Sequence, residues 1–169
     1  VQVNARQRDL LYERAIALAA PEETELVVDA YAGIGMLSAR LAARARSVVC
    51  LEESPYAVRL GELNMQLNSC ANVRYRRGRV EDTLAQVDSP IDVLVLDPPR
   101  AGCLEAAVQA MLDASPARII YVSCEPSTLA RDLERLCAAG RYTLREVVLV
   151  DMFPQTYHLE AVARLERTA

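Results

Sequence analysis

The chain of 169 residues has no lysine and no tryptophan, and only one histidine and one phenylalanine. All 19 cationic side chains are therefore arginine, set against 23 acids for a net charge of -4. A surface coated in basic charge, as a simple polyelectrolyte binder of nucleic acid carries, does not fit this composition. No apolar run reaches the ~18–20 residues that span a bilayer as a helix. No signal peptide is expected, since Val1-Gln2-Val3-Asn4 leads directly into charged sequence. The five cysteines, Cys50, Cys70, Cys103, Cys124 and Cys137, form no C-x-x-C pair, and His158 is far from all of them in sequence. That removes the ligand spacing of a zinc or iron–sulfur site, and an odd, scattered set does not describe a disulfide framework. The expectation is a reduced, cytoplasmic chain without metal, in which Cys50 and Cys137 are small core hydrophobes.

What is present is a core-forming composition, with 52% apolar and 25% charged residues. The length suits one domain of ordinary size. A helix is expected over 7–19, ended by Pro21 and Glu22-Glu23. A repeating rhythm follows: strand Leu26–Ala30, helix 36–45, strand Ser47–Leu51, helix 55–68, strand Asn72–Arg77 and a short helix near 80–87. Strand Ile91–Leu96, helix 104–113, strand Arg118–Ser123 and helix 127–139 continue it. Ser54 and Pro55 suit an N-cap and a first helical position, and Gly140 a helix stop. Strands Tyr142–Val150 and Leu159–Leu165 are joined by 151–158 without a helix, so they must be antiparallel neighbours. The expected fold is α/β: a seven-stranded, mostly parallel sheet with the last strand reversed and helices on both faces.

Ligands of such sheets sit at the carboxyl ends of the parallel strands. The first strand runs into Asp29-Ala30-Tyr31-Ala32-Gly33-Ile34-Gly35, where two glycines allow a tight turn close to a ligand. The third glycine of a dinucleotide fingerprint is replaced by Ser38, which argues against a pyrophosphate cofactor. Glu52 ends the second strand, spaced to accept two hydrogen bonds from a ribose diol. A nucleoside cofactor without pyrophosphate, such as S-adenosyl-L-methionine, fits; a plain tight turn is the alternative. Asp97-Pro98-Pro99-Arg100 ends the fourth strand at the switch-point crevice, and Ser123-Cys124-Glu125-Pro126 ends the fifth beside it. The start of the helix after Cys124 is expected to raise its thiolate fraction. Glu160, opening the reversed last strand, is expected on the same rim. One cysteine and one carboxylate converging on a methyl donor are what carbon 5 of a pyrimidine requires. A thiolate adding to carbon 6 makes carbon 5 nucleophilic, and a base must later remove its proton.

In its motifs the chain resembles the RNA uracil-C5 methyltransferases, which make 5-methyluridine in tRNA and ribosomal RNA. The resemblance runs in order through Gln2-Val3-Asn4, the 29–35 loop, Asp97–Gly102, Tyr121–Asp132 and Asp151–Glu160. It implies a Rossmann-like, class I S-adenosylmethionine-dependent fold, Cys124 as nucleophile and Glu160 as base. It also implies Gln2, Tyr31, Gly33, Gly35, Glu52 and Asp97 at the cofactor, and tRNA or rRNA as partner. Ala32 and Met36 depart from the family's usual residues, and Arg79 follows the third strand where an acid is usual, leaving Glu81 as the candidate there. Family members carry an N-terminal RNA-binding part, in some with an iron–sulfur cluster. The expectation is that residues 1–169 are the catalytic domain alone. Methyl transfer to another substrate, or cofactor binding without catalysis, are the competing expectations. The densest basic cluster, Arg74, Arg76, Arg77 and Arg79, reads equally as a solvated edge or a phosphate contact.

Overall fold

The computed structural model describes residues 5–88, 90–138, 140–151 and 159–168, with side chains from Gln7 onward. Gln2 and residues 152–158 therefore lie outside the described residues. Seven strands form one sheet: β1 (Leu26–Ala30), β2 (Ser47–Glu52), β3 (Val73–Arg77), β4 (Val93–Leu96), β5 (Arg118–Ser123), β6 (Tyr142–Asp151) and β7 (Leu159–Arg167). Their spatial order is β3-β2-β1-β4-β5-β7-β6, and β7 runs antiparallel to both of its neighbours. Helices α1 (Ala5–Ala19), α2 (Met36–Ala42), α3 (Pro55–Leu67), α4 (Val80–Thr83), α5 (Glu105–Ala114) and α6 (Pro126–Ala138) flank it. The expected α/β architecture is the one observed.

Side chains alternate between two cores because a strand's side-chain period is two. Val28, Leu51, Leu94, Leu96 and Tyr121 face α4, α5 and α6, where Val80, Met111, Leu129 and Leu136 meet them. Val27, Cys50, Val93, Val95 and Ile120 face Leu11, Ile16, Leu37 and Leu41 of α1 and α2. With both faces covered, the central strands are continuous apolar runs, as parallel strands must be. Among the described residues no helix is long and apolar enough to cross a membrane.

Element ends differ from the sequence reading for local reasons. Helix α2 stops at Ala42 rather than 45 because Asn72 donates to the carbonyls of Ala42 and Ala45, at 2.9 and 3.0 Å. Asn72 caps a helix instead of opening β3. β4 starts at Val93 rather than Ile91, and the carboxylate of Asp92 accepts the backbone N–H of Leu26 at 2.8 Å. The helix expected over 80–87 is one α-turn followed by a 3-10 turn, Leu84–Gln86. Ser54 and Pro55 do open α3: the Ser54 hydroxyl accepts the N–H of Ala57 at 3.3 Å.

The all-arginine cation set has a structural use. Arg118 donates to the carbonyls of Ala19 and Ala20, at 3.1 and 3.4 Å, and Arg164 to Leu18 at 3.1 Å, at the end of α1. Arg141 and Arg167 do the same at the end of α5, on Leu112 and Ser115, at 3.0 and 2.7 Å. Helix ends leave carbonyls unpaired and carry partial negative charge, and a guanidinium answers both.

Helix α3 lies so close to β3 that a Cβ at Gly61 would run into the ring and hydroxyl of Tyr75. Tyr75 in turn donates to the carbonyl of Gly33 at 3.2 Å, linking an edge strand to the loop after β1. Gly61→Ala should therefore destabilise the chain by about 1–3 kcal/mol through overpacking, measured by urea denaturation. An unchanged midpoint would show that α3 can move away freely.

Candidate active site

The carboxyl ends of β1, β4 and β5 form one rim, and antiparallel β7 begins there. Ser123 pairs with Ala161, so the next positions outward on the two strands are Cys124 and Glu160. Cys124 is partly exposed, and Glu160 is buried between β5 and β6, pairing with Val150. Burial, and then the charge of Asp97, pushes the Glu160 carboxyl up to about 7. Burial alone pushes Asp97 up to about 6. The Cys124 thiol is also pushed up, first by burial and then by Glu160, with Arg100 opposing and Asp97 adding to the rise. This corrects the expectation that the following helix favours the thiolate. Helix α6 opens on Pro126, which has no N–H to offer, and one guanidinium does not outweigh burial and two carboxylates.

The loop after β1 is built for a close approach. Tyr31, Gly33 and Gly35 have φ of 64, 54 and 75°, so the chain turns through the left-handed region three times in five residues. Tyr31 is the costly member, because only glycine enters that region freely. The turn is over-determined from outside: Ala32 N–H bonds Leu51 at 3.1 Å, and Gly33 N–H bonds Glu52 Oε2 at 2.9 Å. Glu52 Oε1 also accepts Ser54 N–H at 2.8 Å. Each carboxylate oxygen retains a second lone pair, so Glu52 is oriented and still able to accept.

Two cavities flank this turn and share Tyr31. One, of about 270 Å³, has Tyr31, Leu51, Val80 and Leu104 as apolar walls, with Glu52 and Glu81 as acids. It suits a heterocyclic base with a diol. The other, of about 370 Å³, contains Asp29, Gly33 and Asp97, with Arg8 and Tyr12 from α1. A larger depression, of about 910 Å³, lies between α3 and β3; it is an open groove away from the rim and holds none of the expected site residues. The structure thus brings together Tyr31, Gly33, Gly35, Glu52 and Asp97 around one turn, and Cys124 and Glu160 beside it. Gln2 lies outside the described residues. In the basic cluster Arg79 pairs with Glu81 at 3.0 Å, and Arg76 donates to Gln86 at 2.9 Å. Among the described residues no group of three His, Cys, Asp or Glu is placed to hold a metal.

Sequence reasoning passed over two features of the rim. Asp29 is buried in β1 and bonded by the Ser38 hydroxyl, which also accepts from the Cys50 thiol at 3.1 Å. Ser38, where a third glycine was sought, is part of this network. Burial pushes Asp29 up to about 7, against the Ser38 bond and with help from Asp97 and Glu52. A lone acid inside an apolar strand was the available signal. The second feature is Asp132, fully buried on α6, which accepts from Cys103 N–H and Tyr121 hydroxyl, both at 2.7 Å. Arg131 donates to the Ala101 carbonyl at 2.9 Å and Thr128 to that of Arg100 at 3.1 Å. Helix α6 therefore grips the loop after β4 from the same segment that carries Cys124.

Residues 79–168 match the profile of the tRNA (uracil-5-)-methyltransferases, and residues 6–115 match that of the TRM5/TYW2 methyltransferase domain. An uncharacterized RNA methyltransferase of Caldanaerobacter subterraneus is 44% identical over 98% of the chain and 37% of its own length. The Pyrococcus abyssi tRNA (uracil-54, C5)-methyltransferase, solved with S-adenosyl-L-homocysteine, superposes with a TM-score of 0.80 at 30% identity, over 98% of the chain and 39% of its own. The precorrin-6y C5,15-methyltransferase of Geobacter metallireducens, at 17% identity and a TM-score of 0.79, covers 93% of the chain and 87% of its own; it shares the fold. The chain spans a little over a third of the curated relatives it matches. The fold is that of the class I methyltransferases.

The raised carboxyl of Asp29 has a consequence for stability. A carboxyl raised on folding stabilises the folded state below its unfolded value of 3.8, and that contribution is lost as pH rises through about 7. The melting temperature should fall between pH 5 and pH 8, and Asp29→Asn should flatten that fall. An identical slope in the variant, followed by circular dichroism, would remove Asp29 as a cause.

Proposed function

Because the chain belongs to the tRNA (uracil-5-)-methyltransferase family, we propose that it methylates carbon 5 of a uridine in RNA, using S-adenosyl-L-methionine and a covalent bond from Cys124 to carbon 6. The observation that carries this reading is the β5–β7 register, with Cys124 and Glu160 one position beyond the Ser123–Ala161 pair.

The residues present fit the cofactor. A Cβ at Gly33 would meet nothing within 4 Å, so the space beside the turn is open to a ligand. Glu52 would hold the ribose diol in the smaller cavity, with Tyr31 and Leu51 for the base. Gly33 and Gly35 would let the backbone come close, and Asp97 would serve the methionyl end, with Gln2 added by the family resemblance. When bound, S-adenosylmethionine supplies an electrophilic methyl group.

The chain's own residues do the remaining work. The Cys124 thiolate adds to carbon 6, and the electron pair of the ring double bond shifts onto carbon 5 and the adjacent carbonyl oxygen as an enolate, leaving carbon 5 nucleophilic. Once carbon 5 carries the methyl group, the Glu160 carboxylate removes its proton. The electron pair restores the double bond, and the carbon–sulfur bond breaks to release Cys124. A carboxyl held near 7 suits this base, since proton transfer is most effective near the working pH. The target uridine must be unstacked to expose carbon 6. The net charge of -4 and the short span relative to the relatives support an RNA grip supplied mainly by other parts of a longer protein.

Incubation with S-adenosylmethionine and RNA containing 5-fluorouridine should trap a covalent adduct, because carbon 5 then has no removable proton. Wild type should give a band resistant to denaturation and Cys124→Ser none. Equal adducts from both would sink the mechanism and leave methyl transfer to another substrate or cofactor binding alone; if neither gives one, a longer protein that includes the RNA-gripping parts should, and its failure would sink the mechanism too. Glu160→Gln should form the adduct with ordinary uridine and release it slowly. Wild-type turnover should rise with pH through about 7, as Glu160 loses its proton. Normal turnover by Glu160→Gln would eliminate it as the base.

A further inference from the structure

The larger of the two cavities beside Tyr31 combines one cation with two carboxylates. Arg8, near the start of α1, lines it together with Tyr12, Asp29, Gly33 and Asp97. The Nε of Arg8 is buried and has no hydrogen-bond partner among the described residues. Its guanidinium makes a long contact to Asp9, at 3.5 Å, and Asp9 is already held by Arg40 at 2.6 Å. Arg164 also has a buried, unpaired Nε, but the rest of its fork is taken by Leu18 and Glu166, at 3.1 and 2.6 Å. Arg164 also lines no part of this cavity.

Arg8 does not neutralise the two acids either. Asp29 and Asp97 are both raised, with burial as the leading cause and no relief from Arg8. The cavity thus holds acids at one place and an under-used guanidinium at another. A purely acidic cavity would suit a cation. This one complements a zwitterion, with the guanidinium for a carboxylate and the acids for an ammonium group. A buried donor left unpaired is costly, and a planar fork matches a carboxylate with two parallel hydrogen bonds.

We propose that Arg8 binds the carboxylate of an α-amino acid, the methionyl end of the cofactor. This rests on the methyl-donor reading above and adds to it a residue that sets how much of the cofactor is recognised. Arg8 carries no sequence signal of its own, being one of 19 arginines on a helix rich in charge.

The test is calorimetric binding to the whole chain, without RNA or turnover. Three nucleosides are compared: S-adenosylhomocysteine, S-adenosylthiopropylamine, which lacks only the carboxylate, and 5′-methylthioadenosine, which lacks the whole amino-acid end. Arg8→Met should weaken S-adenosylhomocysteine by about 10–100-fold and leave the other two unchanged. Arg8→Lys should recover part of the loss, since it keeps the charge without the fork. An equal loss for S-adenosylthiopropylamine, or no loss for S-adenosylhomocysteine, overturns the assignment of Arg8. Failure of the wild type to bind any of the three overturns the methyl-donor reading as well, and is distinguishable because the variant plays no part in it.

Discussion

The antiparallel insertion of β7 between β5 and β6 is the constraint on which the rim depends. A parallel strand in that place would deliver its far end, Arg167, to the site instead of Glu160. A slip of one residue would turn Glu160 to the other face of the sheet, because side chains alternate along a strand. Val162 and Ala163 on the two faces of β7 are fully buried, so the register is enforced by core packing and not by the site. The polar chemistry is held in place by apolar residues that take no part in it.

The same burial tunes the acids. Asp29, Asp97 and Glu160 are all driven up by loss of solvent, and the charge of Asp97 adds to the cost of charging the other two. Such a cluster is uphill for an isolated folded chain and is relieved by ligands that bring positive charge or accept a proton. Clefts of this kind trade stability for function. The grip of α6 on the loop after β4, through Asp132, Arg131 and Thr128, ties that loop to the segment that carries Cys124.

Much of this was legible in the sequence where local pattern and tertiary role coincide. The parallel strands announce themselves as apolar runs, Ser54-Pro55 starts α3, and the ends of β1, β4 and β5 carry the site because the topology requires it. Cys124 and Glu160 could be paired before the fold was known, since a connection without a helix forces the last strand to reverse. What was not legible depends on contacts between distant segments. Asn72 ends a helix 30 residues away, and Tyr75 reaches from an edge strand to Gly33. Asp29 lay in full view inside a quoted motif, but its burial, and with it its shifted titration, becomes visible only when α2 covers it. The thiol of Cys124 went the opposite way from expectation because burial raises it first, and the carboxylates that add to the rise stand at the ends of β4 and β7.

The guanidinium caps at the ends of α1 and α5 have a consequence for how the molecule responds to its medium. An arginine keeps its charge at every pH that a folded protein survives, whereas a lysine in the same place would release its proton in alkali. At the ends of α1 and α5 the cationic fastenings are arginine alone. Reagents that seek side-chain amines find nothing to modify along its whole length.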